Sequence, residues 1–303
     1  MPAFVTHRGS VNAWECDEND HLNVRFFVAK ANEGLPFVLS EMGHTPAALE
    51  AMGARARIRM QHMRFLREAR KATPLTVAAG IVASAPLQLS VYSEIRHSLT
   101  GAVLATVLTD VEVISRRDGS PCQLRAPPAA LRCEVPPHGA PRGLPADGRV
   151  APPEPGALAQ AGFLEIARGR VRPTECDPDG ELEPFQYVGR IADGVVNLMA
   201  RFQTEEELSR RSHGIEGGAL LEFRIAHHAP LRAGGLFTVH SGLRAVRPKT
   251  IEVVHLVLDE ETRSCAAACE GVAVSMDLRT RKAIEIPDLR RRRMEAGVIK
   301  AAP

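Results

Sequence analysis

Two stretches of this chain repeat each other 160 residues apart. Arg8-Gly9-Ser10-Val11-Asn12-Ala13-Trp14-Glu15-Cys16-Asp17 is answered by Arg168-Gly169-Arg170-Val171-Arg172-Pro173-Thr174-Glu175-Cys176-Asp177. Each ends in Glu-Cys-Asp and passes through a short polar turn. Each then enters an apolar segment with an aromatic ten residues after the Asp, Phe27 and Tyr187. The likeness persists: Pro74-Leu75-Thr76-Val77 through Pro86 matches Leu236-Phe237-Thr238-Val239 through Pro248 at an offset of 162. Self-similarity at so long a period marks a duplicated structural unit. A length of 303 residues leaves each copy enough chain for a core of its own.

Hydrophobic spacing gives each copy the same element order. In the first, a strand over Ala3–Trp14 precedes the turn. Val24–Met42 then carries Phe27, Val28, Ala31, Leu35, Val38 and Leu39 at near-helical spacing, with Pro36 predicting a kink or break. Strands follow over Ala54–Phe65, Leu75–Ala83, Leu87–His97 and Ala102–Ser115. The second copy predicts a strand over Phe163–Thr174, a helix over Phe185–Phe202 and strands over Ala219–His228, Leu236–Val246, Thr250–Leu258 and Cys265–Asp277. One strand, one helix and four strands is an α+β pattern, an antiparallel sheet packed on one long helix. The expected division is a first domain over 1–120, a Pro-rich linker over 121–160, a second domain over 161–290 and a basic tail over 291–303. The run Arg290-Arg291-Arg292-Arg293 reads as a solvated end. Gly34 and Gly194 match between the copies. Glycine costs on the order of 1 kcal/mol inside a helix, so close packing of helix on sheet is expected there.

Bulk properties exclude several classes. A net charge of +2 provides no field for nucleic acid or a membrane surface. No apolar run approaches the roughly 18 residues of a spanning helix. Met1–His7 has no signal-peptide pattern, so a cytoplasmic protein with no nucleic-acid and no membrane partner is expected. The six cysteines form no Cys-x-x-Cys pair and have no His-rich partner run, which argues against zinc and against a disulfide framework. No metal and no other cofactor is expected. Cys16 and Cys176 read as small buried side chains at a strand end. His227-His228 is adjacent on a strand and points to opposite faces, so it does not share a metal. Arg55, Arg57 and Arg59 read as a solvated sheet edge. No phosphate-binding glycine loop, His-Glu-x-x-His or Gly-x-Ser-x-Gly occurs.

The first turn, Asp17-Glu18-Asn19-Asp20-His21-Leu22-Asn23, gathers three carboxylates, two amides and an imidazole in seven residues before a helix. A helix start offers unpaired N–H groups and the positive end of a dipole, which suit a carbonyl oxygen turning into an oxyanion. A carboxylate there can act as general base on water or attack directly. The same residues also make an ordinary helix N-cap.

The pattern resembles the hot-dog fold thioesterases of the acyl-CoA and acyl-ACP type, where ACP is acyl carrier protein. That family often shows Asp-x-Asn-x-His-x-Asn-Asn-x-x-Tyr at the start of its central helix. Asp17, Asn19, His21 and Asn23 fall in register, Phe27 replaces the Tyr, Val24 the second Asn and Asp20 a common Gly. Glu33 stands where many members have an acidic residue on the helix. The resemblance implies two tandem hot-dog domains forming a pseudo-dimer within one chain. It implies Asp17 as base or nucleophile, Asn19 and His21 positioning water or polarising the thioester, and the N–H near Val24 as oxyanion donor. Asn23, Phe27, Glu33 and Tyr187 complete the candidate site. The second turn, Asp177-Pro178-Asp179-Gly180-Glu181-Leu182-Glu183-Pro184, resembles the 4-hydroxybenzoyl-CoA thioesterase branch, with Asp177 as its carboxylate. Pro184 matches Val24 and has no N–H, so the first site is expected to be the working one.

The function implied is hydrolysis of acyl-CoA or acyl-ACP thioesters, the acyl chain lying in an apolar tunnel, and a further homodimer is compatible with this. Two rivals stay open. A hot-dog hydratase or dehydratase would use Asp17 and His21 on an enoyl- or hydroxyacyl-thioester. A non-catalytic acyl-CoA-binding protein would keep the fold and lose the chemistry.

Overall fold

A computed structural model of the chain describes residues 2–145 and 155–300. Backbone proximity divides the chain into Met1–Pro141 and Arg142–Pro303. In the first unit, β1 (Phe4–Ser10) leads through a 3-10 turn (Ala13–Glu15) to α1 (Val24–Asn32), α2 (Leu35–Glu41) and α3 (Pro46–Ala51). Strands β2 (Ala54–Phe65), β3 (Pro74–Ser84), β4 (Leu89–His97), β5 (Val103–Ser115) and the short β6 (Pro121–Cys122) follow. All pair antiparallel, in the order β1-β3-β4-β5-β2, with β6 on β5.

The second unit opens with α4 (Leu158–Ala161) and β7 (Leu164–Arg170). A 3-10 turn (Pro173–Glu175), α5 (Pro184–Ala200) and α6 (Glu205–Ser212) come next. Strands β8 (Glu216–His227), β9 (Leu236–Val246), β10 (Thr250–Asp259), β11 (Cys265–Asp277) and β12 (Lys282–Ala283) precede α7 (Asp288–Ala296). Its order, β7-β9-β10-β11-β8 with β12 on β11, is that of the first unit. Helix α1 packs on β4 and β5, and α5 on β7 and β9. This α+β arrangement, made twice, is the tandem hot-dog fold that the motif implies.

The predicted helix over Val24–Met42 breaks earlier than Pro36. A proline ring clashes with the carbonyl four residues before it. Here that carbonyl belongs to Asn32, the last residue of α1, and Pro36 falls in the first turn of α2. The second copy has no such proline, and α5 runs unbroken for 17 residues. The matched glycines let each helix approach its sheet. A Cβ on Gly34 would lie 2.5 Å from Thr6 Oγ1, and one on Gly194 would lie 3.0 Å from Ala167 Cβ.

Several local expectations are corrected. The first strand of each copy stops at Ser10 and at Arg170, and the repeat core turns into 3-10 geometry. Cys16 and Cys176 therefore end a turn, bridged to Leu22 and Leu182, and are half-buried rather than buried. The arginine edge is ion-paired: Arg57 and Arg59 both reach Glu112 on β5. The basic run begins inside α7, where Arg290 is buried and pairs with Glu216 at 2.5 Å, and Glu207 lies 3.6 Å away. It is not a frayed end, because an arginine taken out of water has to be met by carboxylates. Part of the Pro-rich stretch lies on the first sheet, with the Cys133 N–H donating to Ile81 O at 3.0 Å. Pro152-Pro153 lies outside the described residues.

One ion pair recurs in both copies, buried in the first and half-buried in the second. Glu15 Oε1 meets Lys30 Nζ of α1 at 2.8 Å, and both side chains are buried. Fifteen residues also separate Glu175 from Arg190, which pairs with it at 2.5 Å. Removing one member of a buried pair strands the other's charge, which costs about 3–5 kcal/mol. Lys30→Met should therefore lower unfolding stability by about that much, measured by urea denaturation. The double variant Glu15→Met/Lys30→Met should lose less than the single one. A double loss equal to the sum of the two single losses would show that the two charges are not coupled.

Candidate active site

The turn before α1 is built by its backbone. The Asp17 N–H donates to His21 O at 2.9 Å, and the Asp20 N–H to Asp17 O at 3.0 Å. Asp20 closes the reversal at φ 60°, and its counterpart Gly180 does so at φ 75°. Aspartate is among the few residues with a side chain that accept this left-handed region. The Leu22 N–H reaches Ala69 O at 2.7 Å, and the Asn23 N–H reaches Glu15 O at 2.9 Å. The same bonds recur in the second copy, from Asp177 to Glu181 O, Leu182 to Leu231 O and Glu183 to Glu175 O.

Both oxygens of Asp17 are held. Oδ1 accepts the Asn19 N–H at 2.9 Å, and Oδ2 lies 3.1 Å from His21 Nδ1. The Asp17 and His21 side chains are each 15% exposed, so the pair sits at a shielded but open surface. Glu68 Oε1 stands 3.9 Å from His21 Nε2. Burial disfavours the imidazolium, yet the contact with Asp17 and the charge of Glu68 outweigh it, and the His21 pKa lies above its ordinary 6.5. Asn23 caps the helix, its Oδ1 accepting the Arg25 N–H at 3.1 Å. The Phe26 N–H goes to Asn23 O. Val24 is the first residue of α1, so its N–H has no acceptor within the helix.

Asp17, Asn19, His21, Asn23 and Val24 are thus brought to one place. Glu33 is not: it ends α1 with a side chain 60% exposed, beside His7 Nδ1 at 2.9 Å. Phe27 is buried and meets Phe65 edge-on, with ring centroids 5.7 Å apart. Tyr187 is buried too, its hydroxyl accepting the Leu231 N–H at 2.9 Å. Burial pushes its pKa well up, so it stays a neutral phenol. Sequence reasoning missed Glu68, which comes from a loop 47 residues beyond His21. It also missed Lys30 and Arg190, although the shared spacing from Glu15 and Glu175 was there to be read.

The second turn has the same frame and different side chains. Asp177 Oδ1 accepts the N–H groups of Asp179 and Glu181, both at 2.9 Å. Glu181 stands in place of His21 and pairs with Arg232 at 2.9 Å. Pro184 opens α5 with no N–H to offer. Glu183 stands where Asn23 stands, and burial, then the charge of Asp177, raises its pKa above 4.5. Among the described residues no group of three His, Cys, Asp or Glu side chains is placed to hold a metal ion. No helix among them is long and apolar enough to cross a membrane.

Two stability measurements follow. A raised His21 pKa gives stability that is complete below 6.5 and is lost as pH climbs through the folded-state value. His21→Gln should lower Tm most in mildly acid solution, with the gap closing towards alkaline pH; a gap independent of pH would refute the pairing. A raised carboxylate pKa acts in the opposite sense, because the folded state disfavours the charged form. Glu183→Gln should raise Tm at neutral pH, and the gain should vanish below pH 4.5, where the acid is protonated folded or unfolded.

A model of the thioesterase-like superfamily matches residues 11–154 and 171–293. No curated protein matches by sequence. Similar solved structures include a putative oleoyl thioesterase from Lactobacillus plantarum, with 13% identity, TM-score 0.66, and coverage of 90% of this chain and 96% of that one. An acyl-ACP thioesterase from Bacteroides thetaiotaomicron has 12% identity and TM-score 0.63, covering 88% and 96%. A 12:0-ACP thioesterase from Umbellularia californica has 12% identity and TM-score 0.63, covering 89% and 93%.

Proposed function

The chain belongs to the thioesterase-like superfamily and is a thioester hydrolase, and from that premise we propose that the first turn is where it cleaves acyl thioesters, with Asp17 as the base. The observation that carries this is the fixing of both Asp17 oxygens, one by the Asn19 N–H and one by His21, beside a helix-start amide. The thioester carbonyl oxygen would take the Val24 N–H as charge develops on it. Asp17 would accept a proton from water as the water oxygen bonds to the carbonyl carbon. Collapse breaks the C–S bond, and the departing thiolate takes up the proton. The held carboxylate favours the base role over direct attack, since neither oxygen is left free to swing onto the carbonyl carbon. The leaving thiol would be CoA or the prosthetic group of acyl carrier protein, as with the acyl-ACP thioesterases this fold resembles.

The second turn supports a lesser role. Pro184 removes the equivalent donor, and Glu181 and Glu183 put further carboxyl groups where negative charge would have to develop.

Thiol release from a panel of acyl-CoA and acyl-ACP substrates tests this. Asp17→Asn should lower kcat about a hundred- to ten-thousandfold, whereas Asp177→Asn should stay close to wild type. A greater loss from Asp177→Asn would reverse the assignment. Loss of enoyl absorbance from crotonyl-CoA without thiol release would point to hydration instead.

A further inference from the structure

The interior of the first unit holds a polar cluster that the turn chemistry does not use. Asn32, the last residue of α1, faces Gln61 of β2, whose Nε2 donates to Asn32 Oδ1 at 2.7 Å. The same Nε2 donates to Thr109 Oγ1 of β5 at 3.1 Å. Gln61 is 0% and Thr109 1% exposed. Two buried atoms of the cluster, Asn32 Nδ2 and Gln61 Oε1, have no hydrogen-bond partner among the described residues. Turning the amides over does not remove the deficit. Flipping one opposes like groups, and flipping both leaves one donor and one acceptor as before. Leaving such groups unmet costs roughly 1–3 kcal/mol each.

The second unit supplies a control. Gln61 pairs in register with Thr109, as Phe223 pairs with Gly271. Asn32 is the ninth residue of α1, and Ala192 the ninth of α5. Where the second unit has alanine, phenylalanine and glycine, the first has three hydrogen-bonding side chains. The fold does not require polarity there, since the same packing is made without it. The polarity occurs in the unit that carries Asp17, His21 and the Val24 amide.

The cluster also lies on a line from the candidate site. Phe27 meets Phe65 nearer the start of α1, and Asn32 meets Gln61 further along the same helix and strand. From Val24 to Asn32 is eight residues, or about 12 Å along the helix axis. A group there would belong to the middle or end of a medium-length acyl chain, far from the carbonyl. One orphan donor beside one orphan acceptor matches a hydroxyl, which can accept from the first and donate to the second.

We propose that Asn32, Gln61 and Thr109 form a subsite for a hydroxyl carried on the acyl chain, so that this hydrolase selects hydroxylated medium-length acyl thioesters over plain ones. The proposal rests on the reading of the Asp17 turn as the site of thioester cleavage.

The test is a ladder of octanoyl-, decanoyl- and dodecanoyl-CoA beside their ω-hydroxy counterparts, in wild type, Gln61→Leu and Thr109→Val. Binding of the corresponding free acids is followed by calorimetry. Wild type should favour at least one ω-hydroxy member over its plain partner by about tenfold in kcat/KM, the worth of one net hydrogen bond. Both variants should lose that preference while keeping hydrolysis of the plain chain. Thr109→Val keeps the shape of the side chain, so it serves if Gln61→Leu fails to fold. No preference in wild type, in turnover or in binding, would overturn the proposal. So would equal losses on plain and hydroxylated chains, which would make the cluster a structural contact satisfied by buried water. If no thioester is hydrolysed yet the hydroxy acids bind preferentially and lose that preference in Gln61→Leu, the subsite stands and the catalytic reading falls.

Discussion

An ion pair, buried in the first copy and half-buried in the second, sets the geometry on which each copy depends. In the first unit Lys30 leaves the inner face of α1, meets Glu15 at 2.8 Å and also donates to Ser10 O at 3.3 Å. The other oxygen of Glu15 accepts the Asn12 N–H at 2.8 Å. One charge network thus ties the end of β1, the 3-10 turn and the helix. In the second unit Arg190 grips both oxygens of Glu175 and lies over the Phe237 ring at 5.3 Å. Two charges taken out of water are tolerable only when the geometry is complete, so this contact admits one docking of turn on helix. The chain reaches Asp17 two residues after Glu15, and Asp177 two residues after Glu175. The carboxylates owe their place at the helix start to a neighbour with no part in the chemistry.

The duplication separates frame from function. The backbone bonds of the two turns correspond one for one, from the Asp N–H to the bond that returns to the Glu carbonyl. Side chains alone distinguish them. They differ by histidine against glutamate, asparagine against glutamate and valine against proline, so the first turn offers donors where the second offers further carboxyl groups. The contrast extends into the interior, where Asn32, Gln61 and Thr109 stand opposite Ala192, Phe223 and Gly271 in otherwise equivalent packing.

Much of the fold was legible in the chain because strands in a one-helix, one-sheet unit announce themselves by local pattern. The strands over Ala54–Phe65, Leu236–Val246 and Cys265–Asp277 have the ends that the pattern predicts. The division of the first long helix was visible in Pro36, but its location was not: the steric consequence of a proline falls four residues back, at Asn32. The short helices α3, α4, α6 and α7 escaped notice, since their apolar faces are brief and their partners distant in sequence. Arg290 shows the limit best. In sequence it is one of four consecutive arginines, and only Glu216 and Glu207, brought from β8 and α6, make it a buried residue.

The sequence by itself determined the duplication, the order of the main helix and the long strands in each copy, and the gathering of Asp17, Asn19, His21 and Asn23 before a helix. All of these are local in the chain, and local spacing is what periodicity and capping rules read. Tertiary structure alone decided which groups those residues answer to. It placed Glu68 near His21, left Glu33 on the surface beside His7, and half-buried Glu183 within reach of the charge of Asp177. It assembled Asn32, Gln61 and Thr109 from one helix and two strands. Such meetings depend on how a twisted sheet sits against its helix, and contacts across tens of residues leave no period in the sequence.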